Sequence, residues 1–539
     1  MSEAASSGSD GWSDERSAAG DRNPWMIVGV ISIATFMTVL DAAIANVALA
    51  HIAGSLSASY DEATWTITSY LIANAIIIPM SGWLADVIGR KRYYMLSVAL
   101  FTIASVACGM ATNLTWLVIA RIFQGVGGGG LAPSEQSMLA DTFPPEKRGL
   151  AFAAYGVVVI VGPILGPSLG GVITDDWSWH WVFLINLPVG ILSLVLVTFF
   201  VDEPKAIVEE RKQLLAKGVR FDAIGMLLVA LGLGFLEVTL DRGQRDDWFQ
   251  SSFITTTAII AAISLVALVP WELSRKDPVL DLRLLKNRNL LAGCVFLVVA
   301  GLVVFGSTQT IPQLLQEVLG YTATDAGFAM TLGGAVTLFL MPISGLVTRK
   351  VDLRVVIAGS LLVEAVAFWN MTHLSTQMDF THAALVRTVQ LIPLPFLFVP
   401  IQSAAYVGLK PADSNQASAL MNVCRNLGGS FGISLVQTLI SQREQVHQSQ
   451  MAETLNPLNP VYRQAIQSAS HVVASSSIGP AEAARVAAGM VYRQLGQQAS
   501  MLAYIDAFHV QMLVILAAIP LVFLMRAAKG GAARGGAEG

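Results

Sequence analysis

Apolar runs of about twenty residues, each bounded by a short polar segment, recur along almost the whole chain. They fall near residues 25–48, 64–84, 93–112, 114–138, 150–174, 180–201, 222–241, 252–272, 290–314, 325–347, 354–373, 383–408, 416–440 and 506–527. A helix of about 20 residues crosses the hydrocarbon core of a bilayer, so the pattern predicts an all-α membrane protein with fourteen transmembrane helices. Residues 1–23, rich in Ser, Ala, Gly and Asp, read as a disordered tail, and 528–539 as a flexible one. The longest polar connection, 442–504, carries Ala/Gln/Ser-rich runs broken by Pro457, Pro460 and Pro480, which predict short amphipathic helices.

Composition sharpens this reading. Of 539 residues, 54% are hydrophobic and 13% charged, more apolar sequence than a soluble core absorbs. Most of the 33 Lys and Arg residues lie in the tails and the even-numbered loops, which predicts that both termini are cytoplasmic. The first 23 residues lack the basic, apolar and cleavage regions of a signal peptide. The net charge of −4 gives no reason to expect nucleic-acid binding. Cys108, Cys294 and Cys424 lie inside predicted spans and read as packing residues, and no histidine has metal-ligand spacing. No G-x-x-x-x-G-K-[ST] loop occurs. The chain therefore reads as a multi-span membrane protein without a catalytic cluster, not an enzyme, with no metal or bound cofactor expected.

Two short patterns recur at nearly the same interval. Pro79-Met-Ser-Gly82 returns as Pro342-Ile-Ser-Gly345, and Arg121-x-x-Gln124 returns as Arg387-x-x-Gln390. This predicts two six-helix bundles, 24–201 and 290–527, in parallel repeat about an axis along the membrane normal, with substrate held between them. Residues 202–289 hold two inserted helices with charged flanks. Between the second and third spans, Gly82, Asp86, Gly89, Arg90 and Arg92 end a helix in glycine, acid and a cationic turn; with Asp141 they form a candidate latch that opens as the bundles rock.

This stretch resembles the G-x-L-a-D-x-x-G-R-k-x pattern of the major facilitator superfamily. Leu40-Asp41-Ala-Ala-Ile-Ala-Asn46-Val-Ala-Leu49 in the first span resembles the L-D-x-T-I-V-N-V-A-L-P signature of the fourteen-helix drug:proton antiporters of the EmrB/QacA type, with Ala43 where the family has Thr. Asp41 sits on a polar stripe with Thr35 and Thr38 and is expected to face the cavity. An acid inside a span costs about 2.5–3.5 kcal/mol on insertion scales, which makes it a candidate for proton coupling or substrate contact. Arg121, Gln124 and Asn46 are its candidate partners.

Gly156, Gly162, Pro163, Gly166, Pro167, Gly170 and Gly171 resemble the family's antiporter motif g-x5-G-P-x-x-G-P-x-x-G-G, which accompanies exporters. The glycines make a small-residue ridge expected to seal against the opposite bundle, and the prolines remove two backbone donors and bend the helix. Trp179 to Gly190 resembles the start of the family's sixth helix, an aromatic anchor at the interface. Asn422-Val-Cys-Arg425 with Gly428, Gly429 and Gly432 resembles its thirteenth-helix pattern, where Arg425 needs a partner. Glu135, Glu237 and Glu364 are weaker candidates for carrying protons or cationic drugs, or for pairing with Arg387 and Arg425. The resemblance implies a proton-coupled efflux transporter of the bacterial inner membrane that moves amphipathic drug-like compounds. It also implies work with a periplasmic adaptor and an outer-membrane channel, for which 442–504 is the candidate docking surface. A same-fold exporter of one metabolite, or a proton-coupled uptake symporter, is the alternative.

Overall fold

The computed structural model describes residues 23–203, 205–216, 222–456, 458–474 and 480–525. The tails expected at 1–23 and 528–539 thus lie almost wholly outside the described residues. The long helices are α1 (Pro24–Ser55), α2 (Tyr60–Ile88), α3 (Arg90–Gly109), α4 (Leu114–Thr142), α5 (Pro145–Asp176), α6 (His180–Phe200), α7 (Ala223–Arg242), α8 (Ser252–Ser274), α9 (Arg288–Val318), α10 (Asp325–Lys350), α11 (Leu353–Met371), α12 (Phe380–Ala405), α13 (Ser414–Ala452) and α14 (Pro480–Ala518). Several are interrupted by single turns; α4 breaks at Gly130 into Leu114–Gly129 and Leu131–Thr142.

Among the described residues, twelve helices are long and apolar enough to cross a membrane. The two outside that set are α5 and α13, where spans five and thirteen were expected. α13 has the length, but it carries Asn422, Arg425, Asn426 and Gln437 along the expected span, so its apolar density falls short. Burial is inverted relative to a soluble protein: Phe339, Val266 and Phe523 lie exposed on the outside, while Arg121, Gln124 and Glu135 are sealed within. Such a surface suits lipid, and the sealed polar groups must then find partners inside.

Within the first half, α1 packs on α5 and α6, α2 on α4, and α3 on α4 and α6. Within the second, α9 packs on α13 and α12, α10 on α12, and α11 and α13 on α14. The halves meet where α5 crosses α10 and α12, and where α13 crosses α2 and the second segment of α4. α7 and α8 pair with each other, and α7 also leans on α2 and α13. The 442–504 stretch holds the short helix Pro460–Ala474 and the ends of two long helices. α13 runs on to Ala452, and α14 starts at Pro480 and continues without a break into the last span. His447 Nε2 meets Asp506 Oδ2 at 2.9 Å and Gln448 donates to Tyr492 at 2.9 Å, so the two helix ends form one helical extension.

Two places require glycine. Gly89 joins α2 to α3 at φ +100°, outside the range L side chains favour, with Glu203 and Arg211 of the following segment close above it. Gly428 and Gly432 let α13 approach the backbone of α9: a Cβ on Gly428 would lie 2.7 Å from Val298 Cα. That contact is with main chain, which does not yield. Gly428→Ala is therefore expected to lower stability by about 1–3 kcal/mol, read as a lower midpoint of thermal unfolding in detergent.

Candidate functional site

Asp41 does not open onto a cavity. It is 1% exposed, and Arg121 Nη1 donates to its Oδ2 at 2.7 Å. Its Oδ1 accepts from the amides of Gln124 at 2.8 Å and Asn186 at 2.7 Å. Arg121 and Gln124, three residues apart, share one face of α4, and Arg121 also donates from Nε to Thr66 O at 3.0 Å. Its guanidinium lies 4.3 Å from the centre of the Tyr70 ring, which covers it. Ser105 Oγ accepts from Gln124 at 2.7 Å and Asn186 at 3.2 Å. The carboxylate thus has a cation and two amide donors, the conditions under which a charge can stay buried.

Asn46 is not part of this cluster. Five residues beyond Asp41 it is rotated about 140° around the helix, and its amide turns back to Ala42 O at 2.9 Å. Asn186 takes the place expected for it. The sequence marked Asn186 only within an aromatic anchor pattern, and gave no sign that this side chain would reach the first helix.

The second half holds a related cluster. Arg387 on α12 donates to Gln390, to Ser307 Oγ at 3.3 Å and to Thr308 Oγ1 at 3.1 Å, while Gln390 Nε2 donates to Glu364 Oε1 at 2.7 Å. Ser307 stands at the same interval from Asp41 as Arg387 from Arg121. In the first half the acid comes from the first helix and the hydroxyl from the third; in the second these are exchanged.

The basic end, around the Gly89 turn, is where hydrogen bonds link the halves. Arg90 pairs with Asp141, and Ser414 donates to the other oxygen of Asp141 at 2.7 Å. Asn415 donates to Asp86, Ser418 to Pro133 O at 2.6 Å and Asn422 to Gln136 Oε1 at 2.8 Å. Gly82 lies beneath this contact, with space for a Cβ only 3.1 Å from Asn415 O. Arg92 is exposed on the first turn of α3. Ser414, Asn415 and Ser418 are small polar residues without a motif, so the sequence did not mark them.

The glycine ridge of α5 seals mainly within its own half. Gly162 and Gly170 press on Val39 and Ile44 of α1, and Gly166 on Ala43, whose small side chain fits the groove. Gly156 alone of the ridge meets the other half, at Met341 of α10, and Gly171 faces open space. Pro163 and Pro167 fall within the helix; their side chains lie outside the described residues.

The remaining acids separate. Glu237 accepts from Ser430 on both oxygens, at 3.0 and 2.8 Å, which ties α7 to α13 and leaves it unpaired with Arg387 and Arg425. Glu135 accepts from Thr35 and is fully buried. Arg425 stands beside Tyr155, and its buried Nε makes no hydrogen bond among the described residues.

Because Asp41 and Arg121 are sealed together, removing one strands the other. Arg121→Ala is expected to cost about 3–5 kcal/mol of stability. Asp41→Asn combined with Arg121→Gln should cost less than the two single changes added, measured as a double-mutant cycle of unfolding in detergent.

The sequence model described as Major Facilitator Superfamily matches residues 31–433. The chain is 41% identical over 431 residues to the multidrug export protein EmrB of Escherichia coli (strain K12), covering 80% of this chain and 83% of that one. It is 34% identical to the fatty acid resistance protein FarB of Neisseria gonorrhoeae, over 92% of this chain and 95% of that one. The proton:xylose symporter XylE superposes with a TM-score of 0.56 at 14% identity, covering 94% of this chain and 96% of that one, a likeness of fold. The chain belongs to the Major Facilitator Superfamily, in its EmrB-type branch.

Proposed function

We propose that the protein is a multidrug efflux transporter, exchanging amphipathic compounds for protons by alternating access. The observation that carries the efflux reading is the 41% identity to a multidrug export protein across four fifths of both chains. The geometry supports alternating access: hydroxyl and amide contacts join the halves at the basic end, a connection that water can replace without loss of either half's core. In this reading α5 and α13 also cross the bilayer, giving fourteen spans as two six-helix bundles with α7 and α8 inserted. The basic end faces the cytoplasm of a bacterial inner membrane, with both termini on that side.

The Asp41–Arg121 pair and the Glu364–Gln390–Arg387 cluster then act as fixed charges that hold each bundle together while the contact between them changes. Arg90, Asp141 and Asp86 form the cytoplasmic latch. The helical extension from α13 and α14 projects from the opposite end, where an adaptor subunit of a tripartite pump would dock.

In proteoliposomes carrying the full chain, ethidium is expected to move against an imposed proton gradient and to slow when the gradient is collapsed. Movement at equal speed with and without the gradient would overturn proton coupling. Photo-crosslinking from the exposed positions Leu458 or Val461 is expected to capture a periplasmic adaptor in intact cells; free monomeric pump alone would instead favour a stand-alone exporter.

A further inference from the structure

We infer that Glu135, rather than Asp41, carries the transported proton, and that it is loaded while the basic end is joined. Its transport role rests on the antiport reading above; its proton binding does not. Glu135 lies in the second segment of α4 and is 0% exposed. Oε2 accepts from Thr35 of α1, whereas Oε1 accepts no hydrogen bond among the described residues. The titratable groups facing it are phenols. Tyr94 of α3 also donates to Ile31 O at 2.9 Å, Tyr155 of α5 stands 3.3 Å from Thr35 Oγ1, and both phenols stand beside Glu135. Arg425 of α13 is set beside Tyr155, and Asp141, further along the same segment, is taken up by Arg90. Among the described residues no cation forms an ion pair with Glu135.

The contrast with Asp41 decides between the two acids. Asp41 is matched by a guanidinium and two amide donors inside the fold. A carboxylate sealed without a cation costs several kcal/mol, and binding a proton removes that cost. The same segment of α4 also supplies Pro133 O, Gln136 and Asp141, the groups that α13 grips at the basic end. When α13 separates from it, water reaches this face, and the O–H of Glu135 can pass its proton to that water. Proton release is thereby tied to opening of the basic end, and proton binding to its closure.

The test needs no drug. Spin labels at the exposed positions Lys147 and Lys410, on opposite halves of the basic end, report its separation in the purified full-length transporter. With Glu135 intact, the separated fraction is expected to rise with pH, by up to about tenfold per pH unit for a one-proton step. Glu135→Gln, which mimics the protonated acid, should hold the end joined at every pH; Glu135→Asp should restore a pH response with a displaced midpoint, and Asp41→Asn should leave the response in place. A Glu135→Gln titration that follows the parent's overturns the inference, as does a response lost in Asp41→Asn. If Glu135→Gln does not fold, an unchanged midpoint in Glu135→Asp overturns it equally. Should the labels respond to pH while ethidium ignores the gradient, the proton site stands and the antiport reading fails.

Discussion

Burying Asp41 against Arg121 is possible only because the surrounding helices deliver hydrogen bonds to both ions at once. In hydrocarbon neither side chain has water to fall back on, and a lone charge there is expensive. Gln124 answers both partners, accepting from Arg121 and donating to Asp41, while Asn186 and Ser105 complete the shell from α6 and α3. Four helices are thus fixed around one carboxylate. Their mutual placement in the first half follows from this cluster as much as from apolar packing, which in lipid offers little preference for protein over solvent.

The second half meets the same constraint with a different distribution of parts. Its Arg-x-x-Gln pair occupies the corresponding helix, but the acid has moved from the first helix to the third, leaving Ser307 where Asp41 stands in the first half. What the two halves share is therefore an electrostatic arrangement, a guanidinium and an acid bridged by an amide, rather than a set of identical residues. That explains why Arg387 and Gln390 were visible from the repeat, whereas Glu364 had no motif to assign it.

Much of the architecture was legible because hydrophobic runs of membrane length leave few alternatives, and because Arg121, Gln124 and Asp41 are conspicuous in apolar surroundings. The reading failed where a decision depended on rotation about a helix axis or on a neighbour distant in sequence. Asn46 shares a motif with Asp41, but five residues carry it well around the helix. Nothing local marks Asn186, whose side chain finds Asp41 from a helix 145 residues later in the chain. The glycines of α5 lie close against α1, and which helix fills their groove depends on Val39, Ala43 and Ile44. α13 is less apolar than the other spans, and part of that polarity meets the first half: Asn422 donates to Gln136, whereas Gln437 donates to Gln313 within its own half.

α13 also shows which parts can move. Against α9 it is joined through glycine and main chain, with Gly428 and Gly432 pressed on Val298 and Leu302, so separating these helices would open voids along the whole contact. Against α4 it is joined by single hydrogen bonds from Ser414, Ser418 and Asn422. Each neutral bond of this kind contributes a net of about 0.5–1.5 kcal/mol, and the one to the Asp141 carboxylate about 1.5–3 kcal/mol, since water offers a substitute once the contact opens. The inter-half connection at the basic end is consequently worth only a few such increments, within reach of a change in protonation or ligand occupancy, while the connection within the half is not. If the halves rock as proposed, the division falls between α4 and α13 rather than between α9 and α13.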